Sequence, residues 1–131
     1  MKRSTIVFTL AAALLTSGAV TWRAQAAEDK KTSDVIEEIM KTYHKAPKGT
    51  DPTCKKASDG KASADELKQL VAAYTKLAAA KPPKGDDASW KDKTTKLLAA
   101  SKELQAGKAG AREKYKEAVN CKACHSVHKP D

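Results

Sequence analysis

Aromatic residues are scarce in this chain. One Phe, two Trp and three Tyr make up 5% of its 131 residues, so a core of interlocking rings is excluded and alanine fills many inward positions. No stretch alternates apolar and polar residues over strand length, which removes the signal for a sheet. Neither an internal repeat nor a low-complexity tract stands out. A constellation of nucleophile, base and orienting group is also missing, which argues against an enzyme. The one long apolar run, Ile6 to Val20, is short for a bilayer span.

That run follows the basic start Met1-Lys2-Arg3 and leads through Trp22-Arg23 to Ala24-Gln25-Ala26, the small-x-small pattern of a signal peptidase site. The expectation is a signal peptide over 1–26, cut after Ala26, and a single exported domain over 27–131 with no membrane span. Cleavage removes the only Phe, Phe8. Loss of Lys2, Arg3 and Arg23 lowers the formal charge from +9 to +6, so the mature chain stays basic.

What remains reads as helices. The charged lead-in Ala27 to Thr32 lacks periodicity and is expected to fray. A first amphipathic segment opens near Ser33 or Asp34, carries Val35, Ile36, Ile39, Met40 and Tyr43 along one stripe, and stops at Pro47 and Gly49. A long polar connection follows, to Gly60. Ser63 to Glu66 has capping-box spacing and opens a second segment with Leu67, Leu70, Val71, Tyr74 and Leu77 inward, ended by Pro82-Pro83. The third begins near Ala88 and turns Trp90, Thr94, Leu97, Leu98, Ser101 and Leu104 inward, with Gly107 at its C-terminal cap. A fourth runs from Ala111 through Tyr115, Ala118 and Val119 straight into Cys121 and stops by Pro130. The expected fold class is all-α, a four-helix bundle.

Cys121-Lys122-Ala123-Cys124-His125 is the stretch that carries chemistry. A C-x-x-C-H pentad reads as a c-type haem attachment site: two thiols form thioethers with the porphyrin vinyl groups, and the imidazole becomes an axial iron ligand. On a helix, both sulfurs and the imidazole leave from one face. A thioredoxin-like C-x-x-C needs a βαβ setting and a helix that starts at the first cysteine, whereas this pair ends an all-helical pattern. A zinc site from Cys121, Cys124, His125 and His128 would crowd four ligands into about two turns, poorly placed to surround a tetrahedral ion. One covalently bound haem c near the end of the last helix is therefore expected. Burying a porphyrin would add about 10 kcal/mol or more of apolar driving force to a thin core.

An export signal, four helices and the pentad Cys121 to His125 on the last of them resemble the class II c-type cytochromes, cytochrome c-prime and its low-spin four-helix-bundle relatives. In that family an aromatic and a basic residue commonly follow the histidine; Lys129 keeps the charge, but His128 replaces the ring. Only Ser126 to Asp131 follow the pentad, which leaves no place for the downstream methionine of class I cytochromes. The resemblance implies a periplasmic single-electron carrier cycling Fe(III)/Fe(II), with His125 as proximal ligand and the first helix approaching the distal face.

On that helix Met40 and His44 lie four residues apart on nearly one face, and only one can bind. Met40, His44 and an open or water-bound iron all stand as distal arrangements. An open site would mean the rival function, a cytochrome c-prime-like protein binding a diatomic gas such as nitric oxide or carbon monoxide. A peroxidase-like activity would need a distal acid–base pair, and none is seen. His128 belongs to the proximal side, as a surface or propionate contact. Cys54 is an odd thiol in a polar loop, open to an intermolecular disulfide or left free. Lys114, Lys116, Lys122 and Lys129 are expected around the haem edge, where they would attract an acidic redox partner. Without aromatics interleaved among the lysines, nucleic acid is not an expected partner. A homodimer is implied by the class alone, since the first two segments show no second apolar face.

Overall fold

The computed structural model describes residues 18–130, with side chains from residue 29 onward. Every regular element among the described residues is a helix: α1 (Gly18–Tyr43), α2 (Thr53–Asp59), α3 (Ala64–Ala79), α4 (Asp87–Gln105), α5 (Ala111–Ala118) and α6 (Cys121–His128). Of the expected signal peptide, residues 1–17 lie outside the described residues, and over 18–26 only the backbone is described. Among the described residues no helix is long and apolar enough to cross a membrane.

α1 extends through the lead-in that was expected to fray. No Gly or Pro interrupts residues 19–46, and Ala, Glu and Lys recur there, all good helix formers. Its stripe turns inward as the spacing predicts: Ile36 and Ile39 are buried, and Val35, Met40 and Tyr43 pack against the same core. The polar connection to Gly60 holds a helix that its sequence hides. α2 is seven residues long, buries only Cys54 and Ala57, and ends where Gly60 takes φ 71° and donates its N–H to Ala57 O. Two buried positions in so short a segment leave no period to read.

The capping box before α3 forms as its spacing predicts. The Ser63 hydroxyl accepts from the Glu66 N–H at 3.1 Å, and a Glu66 carboxylate oxygen accepts from the Ser63 N–H at 2.8 Å. Lys56 on α2 reaches the other Glu66 oxygen at 2.8 Å, tying the two helices together at that corner. α3 buries Leu70, Ala73, Tyr74 and Leu77. Asp86 caps α4 by accepting from the Ser89 N–H at 2.8 Å. Thr94 and Ser101 sit inside α4's buried face because each hydroxyl donates to the carbonyl one turn back, Trp90 O at 2.9 Å and Leu97 O at 2.7 Å. Leu98 and Leu104, expected inward, are half-buried.

The expectation of one last helix running through the pentad needs correction. Val119 ends α5, Asn120 takes extended backbone (φ −75°, ψ 90°), and its side chain accepts from the Ala123 N–H at 3.0 Å. An asparagine that satisfies a free N–H in this way starts a new helix. The pentad thus opens α6 and does not close a longer helix, and six helical segments replace the expected four among the described residues. α3 packs between α1 and α4, α4 packs on α5, α2 wedges against α3 and α5, and α6 lies on α4.

Replacing Ser63 with Ala should remove the α3 cap and lower stability by about 1 kcal/mol. Chemical denaturation would read this as a lower midpoint at unchanged slope; an unchanged midpoint would show that the box contributes nothing.

Candidate functional site

Because α6 begins at Cys121, its thiols and imidazole sit on a fresh helix at the protein surface. Cys121 and His125 are exposed, and Cys124 is half-buried against the core. The Cys121 thiol donates weakly to Val119 O, 3.6 Å away. A helix starting at the first cysteine meets one of the two conditions set for a thioredoxin-like pair, contrary to expectation. The other fails among the described residues, where no sheet flanks it. Burial also pushes the Cys124 thiol up, against an opposing pull from Lys93.

Cys124 and His125 open onto a cleft of about 370 Å³, within the range that holds small-molecule cofactors. Ile36 and Met40 of α1, Pro83 of the connection and Trp90 of α4 form its apolar wall, and Lys45 and Lys129 also line it. Met40 and His125, far apart in sequence, share this space. A larger cleft of about 460 Å³, bordered by Ala57, Leu67, Leu104 and Arg112, contains no thiol, thioether or imidazole.

His44 lies one turn beyond Met40 but does not line the cleft. Its Nε2 is 3.1 Å from the Tyr74 hydroxyl, which is 3.0 Å from the Tyr115 hydroxyl. Both tyrosines are completely buried, and burial pushes both phenols well above their ordinary value. Burial, and secondarily the nearby His125, hold His44 down at about 4. At neutral pH the imidazole is uncharged, so Nε2 can accept from Tyr74 while Tyr115 donates to Tyr74. In either tautomer Nε2 is engaged with Tyr74 and is turned to that chain, not to the cleft.

The other reactive residues fall elsewhere than expected. His128 is no surface group: at 2% exposure it is among the most buried side chains. Cys54, placed in a polar loop by the sequence reading, is buried on α2. Burial raises its thiol, with a further contribution from Cys121, which brings the two cysteines into electrostatic reach. Lys114 and Lys116 are paired with Glu103 at 2.7 Å and Glu113 at 3.6 Å, whereas Lys122 and Lys129 make no ion pair among the described residues. No group of three His, Cys, Asp or Glu side chains among the described residues is arranged to hold a metal ion. The cleft walls Ile36, Pro83 and Trp90, and the tyrosines that take up His44, were read from sequence only as core or turn. Their partnerships join residues 30 and 41 positions apart, beyond any local spacing signal. No family model, curated protein or solved structure matches this chain.

The His44 shift has a consequence for stability. The unfolded chain takes up a proton near the ordinary value of 6.5 and the folded chain only near 4. Stability from the neutral imidazole is therefore complete above about 6.5 and is lost as pH falls towards 4, by on the order of 3 kcal/mol at most. In His44→Gln, the fall in denaturation midpoint between pH 6.5 and 4 should be markedly shallower than in the native protein. Parallel profiles would show that His44 does not titrate in this way.

Proposed function

We propose that the chain is an exported mono-haem c-type cytochrome, a periplasmic single-electron carrier of the class II kind. The observation that carries this reading is the shared cleft: Cys124 and His125 of the pentad open onto an apolar space with the Met40 thioether on its wall. The residues fit the group by their donor chemistry, with two thiols for the thioethers and an imidazole and a thioether as soft and borderline iron ligands. When bound, the haem supplies a one-electron Fe(III)/Fe(II) couple.

The chain's own residues do the rest. Cys121 and Cys124 would hold the group, and His125 would supply an imidazole to its iron. Ile36, Pro83 and Trp90 exclude water from it, and Lys45 and Lys129 suit its carboxylates. Met40 would supply the second ligand on this reading, since it lines the cleft with His125 while His44 has its Nε2 engaged by Tyr74. A thioether favours the reduced state and so raises the potential. On this reading α1, α3 and α4 would be three members of a four-helix bundle, with α5 and α6 together as the fourth. Docking charge for an acidic redox partner rests on Lys122 and Lys129, because Lys114 and Lys116 are already compensated.

Purified from an exporting host able to attach haem, the protein should carry the mass of one haem through denaturation, and Cys121→Ala/Cys124→Ala should carry none. A native chain without that mass would overturn the reading. The ferric spectrum should show a weak far-red sulfur-to-iron band that Met40→Ala abolishes and His44→Ala leaves. A high-spin spectrum that shifts with carbon monoxide would instead favour a gas-binding protein of the cytochrome c-prime kind.

A further inference from the structure

α6 is eight residues long, and His128 is its only buried residue. A helix of that length has little stability of its own, so its placement must come from what its side chains grip. His128 grips two points at once. Its Nδ1 lies 2.8 Å from Lys84 O and its Nε2 lies 3.2 Å from the Ser89 hydroxyl. A carbonyl can only accept, so Nδ1 carries the proton, and in the neutral ring Nε2 accepts from Ser89. The ring also meets Trp90 edge to face, with centroids 5.3 Å apart.

The receiving surface is shaped for this contact. Gly85 has φ 86°, and a Cβ there would come within 2.9 Å of Val127 O and 3.0 Å of His128 Nδ1. Only glycine gives the turn that conformation and lets α6 approach so closely. Asp86 caps α4 on the Ser89 N–H, which fixes the residue whose hydroxyl meets His128. Trp90, one residue further on, donates its indole N–H to Ala80 O at 2.8 Å, tying the same corner to the end of α3. Two ring hydrogen bonds and an aromatic contact therefore fasten the last turn of α6 to the start of α4.

We infer that His128 is a positioning residue: it fixes α6 on the Lys84–Ser89 corner and thereby aims Cys124 and His125 into the cleft. His125 and Cys124 lie three and four residues before it, so a loosened last turn would change where both point. This rests on the haem reading only for its consequence at the iron. The strap itself stands on the contacts of this chain.

The test is amide hydrogen exchange of α6 against α3 and α4 in the full chain, together with the absorption spectrum of the haem-loaded protein. In His128→Ala, exchange in α6 should quicken by about thirtyfold from the loss of two hydrogen bonds, with α3 and α4 much less affected. The covalent haem mass should persist while the bands that report axial ligation change. His128→Asn, which keeps a donor near the Nδ1 position, should recover part of both. Equal acceleration in all three helices, or native exchange in α6, would overturn the positioning role. Should His128→Ala fail to fold, Ser89→Ala removes one of the two bonds and should quicken α6 by about fivefold; native α6 exchange there overturns the inference too. A chain that never carries haem yet shows selective loosening of α6 would sink the function and leave the strap standing.

Discussion

The hydroxyl of Tyr74 is the point at which three helices meet. It lies on α3, accepts or donates to Tyr115 on α5 and to His44 just past the end of α1, and is wholly buried. In a chain this poor in aromatics, a buried hydroxyl left unpaired would cost about 1–3 kcal/mol, so α1 and α5 are held where they can satisfy it. No buried side-chain polar atom among the described residues lacks a partner. The same bond sets the rotation of the end of α1. Four residues on a helix turn about 40° beyond a full circle and advance about 6 Å. With His44 pinned to Tyr74, Met40 is set one turn back and slightly around the axis, on the cleft wall. Two residues that the sequence places on nearly one face are thereby given different tasks.

How much of this was legible depended on the range of the interaction. The capping box at Ser63 and Glu66, the stripe of Ile36 and Ile39, and the pentad itself are local patterns, and local spacing finds them. α2 escaped because two buried residues in seven give no period. The break before α6 escaped because Ala118 and Val119 continue the apolar spacing of α5 up to the cysteines, while the decisive signal was one asparagine able to reach the Ala123 N–H. Read as an N-cap, Asn120 would have put a helix start at Cys121. His128 carried a fainter signal. It lies four residues after the half-buried Cys124 and so on its face, but a histidine near a chain's end reads more readily as exposed. The His44 to Tyr74 bond had no local signal at all.

Burial divides the pentad in a way that bears on the proposed electron transfer. Cys124 packs inward and is half-buried, whereas Cys121 and His125 are exposed. A group tethered to both thiols would thus have one side against Ile36, Met40 and Trp90 and another side facing out. On the proposed reading, water exclusion on the inner side would stabilise the less charged iron, and the outer side would shorten the path to a partner. The lysines agree with this division. Lys122 lies within the pentad and Lys129 directly follows α6, and among the described residues neither makes an ion pair, while the paired Lys114 and Lys116 belong to α5. Positive charge beside the exposed edge would orient an encounter with an acidic partner as well as hasten it.

Such an arrangement makes a particular demand on α6. A helix that must leave one face open cannot be held by burying that face, and eight residues cannot hold themselves. The available solution is to fasten it at one end, and His128 against the corner that begins α4 is placed to do that. Glycine at position 85 and the cap at Asp86 then belong to the site as much as the cysteines do, although neither touches the cleft. At position 128 an imidazole gives two directed hydrogen bonds where a phenyl ring would give none, and a short, open helix gains more from direction than from area.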